Sequence, residues 1–446
     1  MDFGRSDNIR VQAQLDRLAA LSIPQGRFGL ETITALMERL GYPHRRLPPV
    51  FHVAGTNGKG SVCAFLRAIL EAEGKAVHVT TSPHLVRYNE RIRLAGRLIE
   101  DDALADLLEE VLDEASGLGP SFFEVTIAAA FLAFSRVAAD ACVVEVGMGG
   151  RFDATNVLEA GVVAVSGIAA LGLDHEQFLL RPERGTPKPP MARIAFEKAG
   201  IAKRGVPLLA LDQVPEATSQ IIVRAESVGT TLGLHGHDWS NKLERIDGEA
   251  RHIYRDRMGE LLLPLPSLKG PHQLRNAGLA VAMIRHQSRI QVSSEAIAAG
   301  LESAVWPGRM QLLADGPLTG GREVWIDGGH NASAGAALAK HWAKHWAQHW
   351  AQHRGEDKIH LILGMMSTKD PKAILEPLRR AAASITIVPL KDRDFHPPEA
   401  FGADIGAAPD LASAIAGLPP DGRKVVIAGS LYLVGEALEL NGELPD

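Results

Sequence analysis

Lys59 and Ser61 stand among three glycines in the run Gly55-Thr56-Asn57-Gly58-Lys59-Gly60-Ser61. An ammonium and a hydroxyl next to a bare backbone suit one task, the gripping of an anion with several oxygens. Glycines let backbone N–H groups approach the anion closely, and a helix start adds its positive dipole end. Lys59 supplies a mobile cation for the outer oxygens, and Ser61 an oxygen that reaches a hard divalent cation. The apolar run at 50–53 predicts a strand before the loop. Val62, Phe65, Leu66, Ile69 and Leu70 predict a helix after it. The spacing departs from the common phosphate loop, with only Thr56 and Asn57 between the first two glycines and Gly60 between Lys59 and Ser61. A tight turn that holds nothing is the plainer alternative, and the strand-then-helix context argues against it.

Other chemistry-bearing residues also follow apolar runs. Glu145 ends the run at 141–146 and precedes Gly147, Gly149, Gly150, Asp153, Ala154, Thr155 and Asn156. A carboxylate inside an apolar strand requires a partner, either a metal ion beside the phosphate loop or an Arg or Lys. Ser82 and His84 follow the run at 76–80 and offer an oxygen ligand and a polar contact. His175, in Gly172-Leu173-Asp174-His175, suits a metal site or a helix cap. Lys198 lies in a helical pattern, and its spacing alone makes it a solvated helix residue. Asp327, in Ile326-Asp327-Gly328-Gly329-His330-Asn331, suits a ribose hydroxyl or an amine. Arg309, in Trp306-Pro307-Gly308-Arg309, places a cation in a rigid turn suited to a phosphate or carboxylate.

These motifs need a scaffold, and the alternation of short β-rich runs with amphipathic runs supplies one. Strands are expected at 50–53, 76–80, 141–146, 162–168 and 207–211, and helices at 61–73, 101–115, 122–138, 191–203 and 216–228. This pattern reads as an α/β fold with a mostly parallel sheet, whose ligands gather at the carboxyl ends of the strands. Residues 232–265 read as a small antiparallel add-on. After a helix at 271–285 the alternation restarts, with strands at 323–326, 358–363, 384–388 and 424–428. The expected domains are therefore 1–290 and 291–446. A period of four at 340–353 aligns His341, His345, His349 and His353. That stripe can hold a transition metal or simply lengthen an amphipathic surface helix.

The chain has 446 residues, 46% of them hydrophobic and 22% charged, with a net charge of −6. Such a balance gives no reason to expect nucleic acid binding, and no apolar run approaches the roughly 20 residues that span a bilayer. Cys63 and Cys142 both sit in apolar patterns and read as buried thiols. Together with the absence of an apolar leader at the first residues, they fit a cytoplasmic protein, expected to be a monomer.

In order and content the motifs resemble the folylpolyglutamate synthase/dihydrofolate synthase family of the Mur ligase superfamily. The matching stretches include 52–61, 81–93, 123–126, 145–156, 173–175, 196–201, 272–276, 307–309 and 327–331, which span most of the chain. The resemblance implies a phosphate-loop domain carrying the antiparallel add-on and a smaller C-terminal Rossmann-like domain. It implies an ATP-dependent ligase that adds L-glutamate to dihydropteroate or a reduced folate through an acyl phosphate. Lys59 and its loop (Gly55, Thr56, Asn57, Gly58, Gly60, Ser61) would bind the ATP phosphates. Ser61, Ser82, Glu145 and His175 would hold one or two Mg²⁺ ions. Lys198 would be carbamoylated, which reverses its reading as a solvated residue. Asn276, Arg309 and Asp327 would contact the nucleotide across the domain cleft, with His330 near the phosphate and the incoming glutamate. Ser82, Arg91, Phe123, Asp153 and Ala154 would line the pteroate side. The Ser121-Phe122-Phe123-Glu124 segment is similar to members that act on both acceptors. Three departures stand out: Gly329 where the family usually has Ala, a Pro-rich insertion at 181–190, and the 340–353 repeat. The alternatives are another Mur-type amide ligase or a nucleotide-binding regulatory protein without turnover. The about fifty residues before the phosphate loop are too few for the extra N-terminal domain of the peptidoglycan ligases.

Overall fold

A parallel strand covered on both faces has to be apolar along its whole length, and Val50–Ala54 (β1) is buried at every position. The computed structural model describes residues 4–21, 29–350, 358–391, 393–402 and 405–445, except for the side chains of 341 and 343–350. It forms two units, Met1–Ser267 with Gln273–Val305, and Leu268–His272 with Trp306–Asp446. In the first unit β1 is joined by β2 (Val77–Thr80), β3 (Ile92–Leu94), β4 (Arg97–Leu98), β5 (Ala141–Glu145), β6 (Val163–Ile168), β7 (Leu208–Ala210) and β8 (Leu232–Leu234). Their order is β4-β3-β2-β5-β1-β6-β7-β8, and every pairing is parallel except β2 with β3 and β3 with β4. Parallel register pairs Val53 with Glu145, and Ala54 with Ile168. The loops leaving β1, β5 and β6 therefore emerge side by side.

The antiparallel add-on is the three-stranded sheet of β9 (Trp239–Ile246), β10 (Glu249–Asp256) and β11 (Gly259–Leu263). Residues 232–234, expected within it, instead form the edge of the large sheet. The hairpin of β3 and β4 has no counterpart in the sequence reading. Its strands are three and two residues long, and its turn is Ala95-Gly96, both at positive φ. The helix expected at 191–203 ends at Lys198 and tightens into a 3₁₀ turn, Ala199–Ile201.

The second unit is a six-stranded sheet ordered β12-β13-β17-β14-β15-β16. Its strands are β12 (Gln311–Leu312), β13 (Val324–Asp327), β14 (Ile359–Leu363), β15 (Ala382–Ile387), β16 (Gly406–Ala407) and β17 (Val425–Ala428), and only β12 is antiparallel. The division falls at Val305/Trp306, later than the expected 290. Helix Ser294–Ser303 belongs to the first unit, where Ser293 donates from its N–H (2.7 Å) and hydroxyl (2.6 Å) to Glu73 at the end of the phosphate-loop helix. In the second unit, Trp342 in helix Ala332–Trp350 is 1% exposed and meets Trp325 edge-on, with ring centroids 5.8 Å apart. Trp342, the first tryptophan of the repeat, thus belongs to the core. His341, His345, His349 and His353 lie outside the described side chains.

Two buried histidines give the first unit a specific acid sensitivity. His52 on β1 and His252 on β10 are both fully buried, and burial pushes them down to about 3 and about 4. Each must therefore stay neutral in the fold, while the unfolded chain takes up a proton near pH 6.5. Their contribution is complete above about pH 6.5 and declines below it, by about 1.4 kcal/mol per pH unit for each histidine. Urea titrations at pH 7 and pH 5 check this: His52→Gln is expected to lessen the loss on acidification by about 2 kcal/mol. An unchanged pH slope in that variant would refute it.

Candidate active site

The phosphate-type loop is fixed from both sides within the first unit. Thr56 and Asn57 donate their N–H groups to the Ala170 carbonyl (2.9 and 3.1 Å). The Thr56 hydroxyl donates to the Gly172 carbonyl (3.0 Å) and accepts from the Gly172 N–H (3.1 Å). The loop is therefore stitched to the segment leaving β6. Gly58 caps helix Lys59–Ala72 in the left-handed region (φ 87°), and a Cβ there would come within 2.5 Å of Asn276 Oδ1. Only glycine satisfies both conditions.

Beside this loop sits Glu145, at the end of β5 and 5% exposed. Its Oε1 lies 3.9 Å from Lys59 Nζ, and its Oε2 accepts from the Ser82 N–H (3.1 Å). Lys59, Ser82 and Glu145 thus share one spot at the carboxyl ends of the strands. Ser61, in the first turn after Lys59, is buried and accepts from Gln273 Nε2 (3.1 Å), whose Oε1 in turn accepts from Asn276 Nδ2 (3.0 Å). Hydroxyl and carboxylate oxygens in this arrangement fit a hard divalent cation. His175 is exposed and heads the short helix Glu176–Leu179 at φ 52°. Among the described residues no three His, Cys, Asp or Glu side chains converge as a metal site. Gln273 was missed by sequence reasoning. Its one signal was its place in the 272–276 stretch that also carries Asn276.

Lys198 is buried, not solvated as its spacing alone suggested. Burial, aided by the nearby Lys59 charge, pushes its amine down to about 7, against the pull of Asp174, Asp153 and Glu197. The cause of the burial is the loop after β5. Arg151 N–H donates to the Glu197 carbonyl (2.8 Å), and at Gly150 a Cβ would meet the Lys198 carbonyl at 2.9 Å. Asp153 organises this loop. Its carboxylate accepts from the Met148 N–H (2.8 Å), the Thr155 N–H (3.0 Å) and the Thr155 hydroxyl (2.5 Å). His52 in turn contacts that hydroxyl (2.9 Å). Ala154 follows, also buried. The Phe123 ring lies over Gly147, where a Cβ would be 2.3 Å from its Cζ. Arg91 is buried under the segment after β2, donating to His84 Nδ1 (2.9 Å) beside the Tyr88 and Phe122 rings.

In the second unit Asp327 ends β13 and is buried, accepting from the Gly329 N–H (2.7 Å) and the Met310 N–H (3.0 Å). The Gly328 N–H donates to the Gly308 carbonyl (2.9 Å), which brings the Arg309 turn against the same strand end. His330 Nδ1 lies 3.1 Å from the Gly328 carbonyl. Arg309, Asp327 and His330 are thus neighbours.

A glycine loop between strand and helix, with a buried carboxylate beside its lysine, is the arrangement of a nucleotide-binding α/β enzyme. The chain is 31% identical over 419 residues to the dihydrofolate synthase/folylpolyglutamate synthase of Escherichia coli (strain K12), covering 92% of this chain and 91% of that protein. It is also similar to the structure of E. coli FolC in complex with DHPP and ADP (TM-score 0.82, 30% identity, 96% and 97% coverage). A bifunctional enzyme of the same name, solved with Mn, AMPPNP and L-glutamate bound, matches with a TM-score of 0.80 at 28% identity over 96% of this chain and 97% of that one. No family model matches the chain. The chain belongs to the dihydrofolate synthase/folylpolyglutamate synthase family.

The loop geometry predicts the outcome of a matched pair of substitutions. Gly74 has φ 75° with nothing within 4 Å of the place a Cβ would take, whereas Gly58 has both positive φ and the Asn276 contact. Gly74→Ala is expected to cost about 1 kcal/mol and Gly58→Ala about 2–3 kcal/mol. Chemical denaturation measures both, and equal costs would show that Asn276 yields freely.

Proposed function

We propose that this chain is an ATP-dependent ligase that joins L-glutamate through its amine to the carboxylate of dihydropteroate and of reduced folates. A carboxylate is unreactive toward amines at neutral pH because oxide is its leaving group. Transfer of the ATP γ-phosphoryl group to the carboxylate gives an acyl phosphate and ADP. The glutamate amine then attacks the carbonyl carbon, the tetrahedral intermediate expels phosphate, and the amine proton is lost to form the amide. Each stage gathers negative charge, which Lys59 offsets on the phosphate oxygens.

The observation that carries this reading is Lys59 Nζ, 3.9 Å from the buried Glu145, at the head of a glycine loop. Ser61, Ser82, Glu145 and His175 would hold Mg²⁺, which when bound supplies charge neutralisation for the phosphoryl oxygens. Within the loop of Gly55, Thr56, Asn57, Gly58 and Gly60, the amides of Gly58 and Gly60 grip the phosphates while the Thr56 and Asn57 amides pin the loop to Ala170, and Asn276, Arg309 and Asp327 hold the rest of the nucleotide. His330 orients the phosphate and the incoming glutamate. Phe123 offers a ring face to the pterin, with Ser82, Arg91, Asp153 and Ala154 around it. The two free, buried cysteines suit a reducing cytoplasm, where we place the reaction.

Lys198 is assigned a second chemical form. Its neutral amine attacks CO₂ and releases a proton, giving a carbamate that presents oxygen ligands beside the phosphate loop. The amine is buried near Lys59, which disfavours the cation. With labelled bicarbonate, a carbamate signal is expected in the carbon NMR spectrum of the wild type and not in that of Lys198→Ala. No signal in either would remove this assignment.

Incubation with ATP, Mg²⁺, labelled glutamate and either dihydropteroate or tetrahydrofolate tests the main proposal. Label is expected in both pterin products, and Lys59→Ala is expected to lower turnover by roughly 10²-fold or more. Nucleotide binding without any labelled product would instead favour a regulatory protein.

A further inference from the structure

The Pro-rich stretch at 181–190 contributes the carboxylate of Glu183 to a charge cluster in the first unit. Glu183 contacts Arg151 at Nη1 (3.2 Å) and at Nη2, and Arg193 at Nη2 (3.1 Å). Glu197 contacts the same two guanidiniums, Arg151 at Nη2 (3.0 Å) and Nε (3.2 Å), and Arg193 at Nη2 (2.9 Å). The four side chains close a ring of alternating sign. Arg193 and Glu197 are almost fully buried, Arg151 is 21% exposed, and Glu183 is 39% exposed. The ring ties together three segments that the ligase reading uses. Arg151 belongs to the loop of Asp153 and Ala154. Arg193 Nε donates to the Leu179 carbonyl (3.0 Å), at the end of the short helix that His175 heads. Glu197 directly precedes Lys198.

Without Glu183, two mostly desolvated guanidiniums would face a single carboxylate. Like charges that close repel strongly away from bulk water. Arg151, the more exposed of the two and mounted on a loop, is the one free to move out. A half-exposed acid adds little to global stability, so the consequence is local displacement of that loop.

We propose that Glu183 is a positioning residue, holding the Asp153–Ala154 loop and the His175 helix in register with Lys198. Its effect on catalysis rests on the ligase reading above, whereas its effect on the loop does not. The test compares full-length wild type, Glu183→Ala and Glu183→Asp by steady-state kinetics, thermal melting and amide hydrogen exchange. For Glu183→Ala, the KM for dihydropteroate is expected to rise about 5- to 20-fold, with the KM for ATP within about twofold of wild type. Glu183→Asp is expected to recover most of the difference. Exchange at the Arg151 N–H is expected to speed up by about tenfold while the remaining core is unchanged. Uniform loss of all kinetic parameters with a lowered melting temperature would make the role merely structural and overturn the proposal, as would unaltered exchange over 147–156. If the wild type forms no glutamate product, the ligase reading fails, and the exchange result still decides whether Glu183 holds the loop.

Discussion

The first unit depends on the parallel register of β1 with β5 and β6. Because Val53 pairs with Glu145 and Ala54 with Ile168, three chain segments leave the sheet at one level. The glycine loop can then lie across the segment leaving β6 and bond to Ala170 and Gly172. Glu145 meets Lys59 for the same reason. A one-residue slip would turn each of these side chains to the opposite face and separate the cation from the carboxylate. Apolar β-branched strands buried on both faces enforce the register, so core packing and site geometry come from one constraint.

A second consequence concerns how polar groups are accommodated in that core. Glu145, Asp153, Ser61, Gln273 and Lys198 are all buried. The first four are hydrogen-bonded to neighbours: Glu145 to Ser82, Asp153 to Met148 and Thr155, Ser61 to Gln273, and Gln273 also to Asn276. Buried polar groups joined this way rigidify their surroundings, since breaking one bond leaves an unsatisfied group out of water. Local unfolding there would expose several such groups at once.

Much of this was legible in the sequence. The strand, glycine loop and helix at 50–70 stood out because periodicity and turn residues agree there, and the strand-end positions of Glu145 and Asp327 followed from the same logic. Other features depend on partners far away in the chain. The domain division was placed too early because the helix at 294–303 looks like any amphipathic helix, and its partner Glu73 lies more than two hundred residues upstream. The β3–β4 hairpin escaped notice because its strands are too short for a period of two to show. Lys198 read as solvated because helical spacing cannot report that the loop after β5 closes over it. Gln273 offered only its place in the 272–276 stretch, since its role exists only once Ser61 is beside it.

The charge ring around Glu183 shows how one helix end can carry two electrostatic tasks without conflict. Glu197 and Lys198 are consecutive, so their side chains diverge by about 100° around the helix. One joins the two guanidiniums while the other lies near Asp174 and Asp153. Two arginines and two glutamates sum to zero, and the field of a neutral cluster falls off faster than that of a single charge. The ring can therefore fix where Lys198 sits while adding little net charge beside its amine, whose pKa is lowered chiefly by burial. A lone Glu197–Arg151 pair with Arg193 left over would carry a net positive charge next to Lys198. Glu183, by supplying the balancing acid, thus preserves both the position and the electrical environment of the buried lysine.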